Sequence, residues 1–430
     1  MKLFKSLLIT QALLGLLTPV TAAESEINLD EINFYARKNS SFKKRFNSKN
    51  FSNQEFAKRN IFNKSIKAPI NLFETGSFSE TTTISGSASF VIGGLRNHDP
   101  VYTETSEAIN THYSYDIDLS TSFNGDDNLF VGIEAGNSSG LLLLDSTNVV
   151  TNSDQLSVSS IYYSFPFKEW DVAVGPLLAQ DDLVATTTTK YSDAFYLSGN
   201  ASGNNLWTLP GLKGTGISIA RVFENGFNVG ANLLSVTGNT TGVFTKESAD
   251  MGTVMAGYDA ENFGGGIIFT KFDEIWDLDD KTAQYYMNYY GVNELQLTTW
   301  SAGGYWILKD KLTANLGIEV IDADIGLDSP EFTYSTLSMD YELNENNRIS
   351  GAWKSMNFLN TNGTVDHLGN AFEFYYTRDV NDAISVKAGM YLVESEYDDG
   401  NGTTIKNGGT GDDWLLSDET VYAFETIFRF

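Results

Sequence analysis

The amino-acid sequence predicts an all-β protein, a transmembrane antiparallel β-barrel of about 16 strands with a short N-terminal periplasmic extension. Three observations carry that expectation. Apolar and polar residues alternate with period two in run after run of roughly 9 to 12 residues. Short and long connections between the runs alternate without exception. The last run ends on an aromatic residue, where a soluble sandwich usually frays into polar residues.

The chain opens on "MKLFKSLLITQALLGLLTPVTAAES". Lys2 and Lys5 precede an apolar run from Leu7 to Leu17, and small residues follow at Thr21, Ala22 and Ala23. This is the pattern of a signal peptide, residues 1–23. The run is too short for a membrane anchor, which needs about 20 apolar residues. Residues 24–75 hold ten Lys or Arg against six Asp or Glu. They read as a basic periplasmic extension: partly disordered, in contact with peptidoglycan, or lying as a plug in the lumen.

From residue 76 the composition changes sign, with sixteen basic and forty-nine acidic residues. The first barrel strand, "TTTISGSASFVI", turns Ile84, Ala88, Phe90 and Ile92 outward and Ser85, Ser87 and Ser89 inward. "HYSYDIDLSTSF" and "LFVGIEAG" follow, joined by "NGDDN". Then come six hairpins: "QLSVSSIYYSF" with "EWDVAVGPL" across Pro166, "TGISIARV" with "GFNVGANLL", "GTVMAGYD" with "FGGGIIFTK", "QLTTWSAGGYWIL" with "KLTANLGIEV", "EFTYSTLSMDYEL" with "NRISGAWKSM", and "AFEFYYTRDV" with "AISVKAGMYLV". "ETVYAFETIFRF" closes the barrel. An even strand number places both termini on the periplasmic side.

Composition limits the function. The 430 residues include no Cys and 3 His, with 28 basic and 55 acidic side chains and a formal charge of -27. A polyanion would be repelled, so nucleic acid is not an expected partner. Without cysteine there are no disulfides or thiolate metal sites. His98, His112 and His367 are scattered, and no nucleophile–base arrangement is visible, so an enzyme is not expected. A lipid-facing His–Ser pair would have to use His112. No cofactor is called for. The loops "WDLDD" and "EYDDGNGTTIKNGGTGDDW" carry carboxylates without the spacing of a calcium loop and read as solvated.

The signal peptide, "ISGSASFVIGGL" and "VAVGPLLAQDDL" resemble the cyanobacterial outer-membrane porins related to carbohydrate-selective porins, some of which are described as iron-uptake porins. The resemblance spans roughly residues 76–430. It implies passive diffusion of small solutes. That family typically carries an S-layer-homology domain and a coiled coil before the barrel; here the basic extension stands in their place.

The residues themselves suggest where a channel would narrow. Residues 178–213 form the longest connection and exceed what a hairpin needs, so they are expected to fold into the lumen as a constriction. Asp181, Asp182 and Asp193 would supply its acids, opposed by Lys190. Parity points Asp116, Asp118, Glu134, Glu319, Asp340, Glu373 and Glu425 inward, with Arg348, Lys354 and Lys387 as a basic strip facing this acidic wall. The excess of acids implies a preference for cations, with a structural barrel of closed pore as the alternative. The glycines Gly264 to Gly266 would let the wall bend or a loop approach. Tyr422, Phe428 and Phe430 would form the signal read by the barrel-assembly machinery. Outer-membrane lipid and two further copies, as a homotrimer, complete the expected partners.

Overall fold

The computed structural model describes residues 81–97, 109–137, 155–191, 212–246, 248–273, 296–308, 311–324, 331–359, 365–395 and 419–430. The signal peptide (1–23) and the basic extension (24–75) lie outside the described residues. So do His98, Asp193 and both carboxylate-rich loops.

Sixteen strands run in order. They are β1 (Thr82–Asn97), β2 (Ile109–Thr121), β3 (Asn128–Gly136), β4 (Ser157–Phe167), β5 (Trp170–Ala179) and β6 (Lys213–Val222). Next come β7 (Phe227–Ser235), β8 (Asp250–Asp259), β9 (Phe263–Asp273), β10 (Gln296–Leu308) and β11 (Leu312–Asp324). The last are β12 (Glu331–Asn344), β13 (Asn347–Leu359), β14 (Val365–Asn381), β15 (Ile384–Ser395) and β16 (Glu419–Arg429). Each pairs antiparallel with its neighbours in the chain, and β1 pairs with β16, so the sheet closes. Closure leaves no strand edge unpaired, the condition for a sheet to cross lipid.

The period-two pattern sets the two faces. On β1, Phe90 is 54% exposed and Val91 beside it 2%. Phe90, Ile217, Val254, Ile267, Leu316 and Phe374 all stand outward, an apolar surface that only lipid or another protein would tolerate at this extent. One turn differs from expectation. Pro166 lies inside β4, opposite Asp171, and the chain reverses at Lys168 and Glu169, with Lys168 at φ 59°. Proline lacks an N–H but can occupy a ladder position that needs no donor. The Arg221 guanidinium, near this turn on the outer surface, pairs with Glu169 and lies 4.3 Å over the Phe223 ring.

The terminal phenylalanine is docked. Phe430 N donates to Gly86 O at 3.1 Å and Gly86 N to Phe430 O at 3.1 Å. Its ring stacks on Tyr115 at 5.8 Å, and Phe428 packs against Phe90 at 5.5 Å. A side chain at position 86 would meet the Phe430 ring at 2.7 Å, so glycine is required there. Tyr422 stands outward and exposed.

The inner face is not uniformly polar. Leu234, Met251, Phe272 and Leu297 are mutual register partners on β7 to β10 and are all buried. With Leu178, Leu183 and Ala185 from the end of β5 and the connection beyond it, they form one apolar cluster.

Candidate functional site

That connection is the central feature of the barrel interior. It leaves β5 at Ala179 and returns at β6, and residues 180–191 of it are described. Gln180 is fully buried; its Nε2 donates to Thr253 Oγ1 at 2.6 Å and Thr270 Oγ1 at 3.2 Å, and its carbonyl accepts from Asn232 Nδ2 at 2.8 Å. Val184 packs on Met255 and Ile268. Thr186 Oγ1 donates to Asn228 Oδ1 at 2.8 Å, and its methyl rests on Gly257 and Gly266. A Cβ at Gly266 would lie 2.0 Å from that methyl, so the glycine admits the loop. These contacts step along β7, β8 and β9 toward their short turns.

The loop then continues along the wall to β10 and β11, the next strands in the sheet. Lys190 N donates to Asn315 Oδ1 on β11 at 2.7 Å, and Lys190 Nζ sits 4.0 Å over the Tyr305 ring on β10. Tyr305 Oη donates to Asp259 Oδ1 at 2.5 Å, and Asn228 Nδ2 to Asp259 Oδ2 at 3.1 Å, which joins the loop's wall partners in one network. Tyr191 meets Tyr375 of β14 edge-on at 6.2 Å, among Ala352, Ala371 and Tyr391. Burial, then the Glu373 carboxylate, hold the Tyr191 phenol neutral, well above its ordinary range.

Asp182 acts at the start of the loop. Its Oδ2 accepts from Ala179 N at 2.8 Å and Ser160 Oγ at 3.1 Å, which ties the first turn to β4. Burial, and then Asp181 beside it, push the Asp182 carboxyl up to about 7. Of the acids expected in the constriction, this one is therefore drawn toward its neutral form and is occupied by a turn. Lys190 lies over the Tyr305 ring. Among the residues the sequence reading passed over are Gln180, Thr186 and Tyr191. No periodic pattern marks them, because their partners lie far along the chain: Thr270 is 90 residues from Gln180, and Tyr375 lies on β14.

The inner wall carries both signs of charge. Glu319 on β11, Asp340 on β12, Lys354 on β13, Glu373 on β14, Lys387 on β15 and Glu425 on β16 are all buried. Asp340 accepts from Ser350 Oγ at 2.5 Å, and Glu425 from Ser89 Oγ. Lys387 Nζ is 3.8 Å from Glu425, and Lys354 Nζ lies 4.5 Å over Tyr334. Arg348 shares the Lys354 face of β13, and Asp116, Asp118 and Glu134 continue the series on β2 and β3. An acidic wall facing a basic strip is not what results. Acids and bases interleave on the successive strands β12 to β16, and closure of β16 against β1 brings the acids of β2 and β3 to the same side. The opposite sector presents the buried uncharged residues Ser218, Asn232, Thr253, Thr270, Thr299 and Ser301, and there the loop docks.

His112 faces inward beside buried Ser114, so it cannot form a lipid-facing pair. His367 bonds Asn357 Oδ1 at 2.9 Å and Asn370 Nδ2 at 3.1 Å.

No family model matches the chain, and no curated protein matches it. Solved structures do. The in-vitro folded trimer form of OmpT, an outer membrane protein of Vibrio cholerae, aligns with a TM-score of 0.56 at 10% identity, over 81% of this chain and 99% of that one. The high-pH structure of Pseudomonas putida OprB aligns at 0.54 with 9% identity, over 81% of this chain and 94% of that one. At these identities the likeness is one of fold. The chain has the closed 16-strand architecture of outer-membrane β-barrels.

Proposed function

We propose that the protein is an outer-membrane porin of a Gram-negative bacterium, exported by residues 1–23, through which small hydrophilic solutes or ions diffuse passively. The observation that supports this most directly is the connection after β5. It lies inside a closed barrel and bonds to the wall at β7, β8, β9 and β11, as a constriction would. Sixteen strands enclose more space than wall side chains fill, so a loop fixed across that space sets what passes. The resemblance to cyanobacterial porins suggests sugars, inorganic ions or iron as solutes. The trimer form of a structural neighbour supports assembly as a trimer. In this reading the terminal strand is delivered by the barrel-assembly machinery, and the basic extension contacts peptidoglycan or the acidic lumen.

Cation preference follows from the excess of carboxylates on the inner wall over Arg348, Lys354 and Lys387. Fixed charge close to a narrow, poorly screened path raises the local concentration of counter-ions. With Asp182 held in the turn, Asp181 and the wall acids carry this effect. Single-channel recording in planar bilayers tests the reading. Steady conductance, with a reversal potential in a KCl gradient that favours K⁺ and weakens as salt rises, is expected. Anion preference would overturn the selectivity, and absence of conductance the porin itself. The second reading, a barrel closed at rest, draws support from Glu319 and Lys354, both at 0% exposure on the inner wall.

A further inference from the structure

The connection between β7 and β8 folds down onto the outside of the barrel. Strand alternation puts Leu234 inside, in the apolar cluster, and Leu233 and Ser235 outside. Leu233 is 54% exposed, as a lipid-facing side chain would be, yet Ser235 on the same face is fully buried. The connection itself covers it. The Ser235 hydroxyl lies 3.5 Å from both Gly242 O and Phe244 N, and a Cβ on Gly238 would meet Ser235 Cβ at 3.2 Å. Ser248 Oγ donates to Asp250 Oδ2 at 2.8 Å, and Asp250 is the register partner of Ser235.

This segment keeps its shape through its own bonds. Thr237 O accepts from Thr240 N at 2.9 Å and Thr241 N at 3.0 Å, and Thr237 Oγ1 accepts from Ala249 N at 2.9 Å. Thr245 N donates to Ser248 Oγ and Thr245 Oγ1 to Thr241 O, both at 2.9 Å. None of these bonds uses the side chains of Val243 and Phe244, which stand side by side at 46% and 51% exposure. Phe244 also has φ 55°, a left-handed backbone that a bulky side chain rarely adopts and that glycine or asparagine would take at less cost. A strained backbone that holds a ring outward is a feature of sites that meet a partner. The position of the ring says which. Ser235, which the Phe244 backbone touches, is two residues from Leu233 on one face, about 6.7 Å along the strand. Leu233 pairs in register with Ile217 on β6 and Gly252 on β8, and Val254 follows on the same face. Ile217, Leu233 and Val254 belong to the exposed apolar band that lipid covers. Val243 and Phe244 therefore continue that band at the edge away from the short turns.

We propose that Val243 and Phe244 are a membrane anchor, which inserts among the acyl chains of the outer leaflet and raises the lipid-facing band over β7 and β8. Acyl chains fit an apolar pair that has no polar group to match and that follows directly on a surface already in lipid. A second copy of the chain would instead have to bury the loop tip and the band beneath it together, so the two occupants leave different marks on the tip. The anchor rests on the barrel's place in a membrane and not on the passage of solutes.

The chain has no cysteine, so Val243→Cys and Asn239→Cys in the full-length protein each carry a single nitroxide. Asn239 is exposed on the same segment and serves as the reference. With the barrel in phosphatidylcholine–phosphatidylglycerol liposomes, collision rates are measured with oxygen, which concentrates in hydrocarbon, and with a neutral nickel chelate, which stays in water. The ratio of oxygen to nickel collisions should be several-fold higher at position 243 than at 239. Phe244→Asn suits the left-handed backbone, so the segment should stay folded while the ratio at 243 drops toward that at 239. Equal ratios at 243 and 239, or a ratio at 243 that Phe244→Asn leaves unchanged, overturn the anchor. A label at 243 shielded from both reagents and broadened by labels on other copies also overturns it, and assigns the tip to a second copy. Planar-bilayer conductance of the same labelled barrels is read separately. A non-conducting barrel with the high ratio at 243 overturns the porin reading and supports the anchor.

Discussion

At the scale of single residues, two carboxylates outside the strands behave in opposite ways. Asp127 closes the β2–β3 turn. It accepts from Tyr163 Oη at 2.6 Å, Phe123 N at 2.8 Å, Ser122 Oγ at 2.9 Å and Asn124 N at 3.0 Å. Burial alone would raise its pKa, but these bonds outweigh that and hold it well below the ordinary value of 3.8. A depressed pKa means stability that is present above the unfolded value and lost as pH falls below it. Asp127→Ala should therefore destabilise the barrel by about 1–3 kcal/mol at neutral pH. Urea midpoints should show that gap narrowing below about pH 4; a gap constant with pH would count against this role. Asp182 has the reverse sign. Its carboxyl, raised by burial and Asp181 to about 7, favours the protonated form in the folded state. Stability should fall as pH rises from the ordinary value of 3.8 through about 7. Asp182→Asn keeps the acceptor for Ala179 N and should flatten the thermal midpoint between pH 5 and pH 8. An unchanged slope in that variant would rule the carboxylate out as the source.

At the scale of elements, the sixteen strands were legible because their signal is local. A side chain's face depends only on its parity, and a slip of one residue would turn Ile84, Phe90 and Ile92 into the lumen together. The β4–β5 turn was misplaced at Pro166 because proline is a turn former in general, whereas here Lys168 takes the left-handed conformation. The path of the loop was not legible. Its length suggested that it enters the lumen, but Gln180 finds Thr253 and Thr270 only after the wall has closed. Nor could strand parity alone show that Lys387 sits between Thr377 and Glu425, since that depends on register. Gly266 joins the two levels, as a wall residue whose missing side chain is filled by Thr186. Gly266→Ala should push the loop off β9 and alter single-channel conductance in a barrel that still folds. Adding Thr186→Gly removes the methyl in the way and should bring conductance back toward the parent value, because the two changes are coupled through one contact. Equal conductance in the parent and in Gly266→Ala would show that the loop does not set the pore.

At the scale of the whole molecule, closure determines both the charge pattern and the fate of the last residue. β16 sits between the Lys387 strand and β1, so the acid Glu425 is shared by Lys387 on one side and Ser89 on the other. The same pairing places Phe430 against Gly86 and Tyr115. Removing Phe430 would delete both of its backbone hydrogen bonds to β1 and its ring contact, and leave one donor (Gly86 N) and one acceptor (Gly86 O) of β1 without these partners at the membrane boundary, where each unpaired group costs several kcal/mol. Deletion of Phe430, or Phe430→Asp, should leave little heat-modifiable barrel in the outer-membrane fraction. Phe430→Trp keeps an aromatic ring and should assemble. Tyr115→Ala leaves the terminal residue intact but removes the ring it stacks on. If docking against β2 matters beyond any signal carried by the terminus, that variant should assemble more slowly and unfold at lower urea than the parent. A Tyr115→Ala barrel with parental assembly and stability, beside a failed Phe430 deletion, would assign the terminal phenylalanine to recognition by the assembly machinery alone.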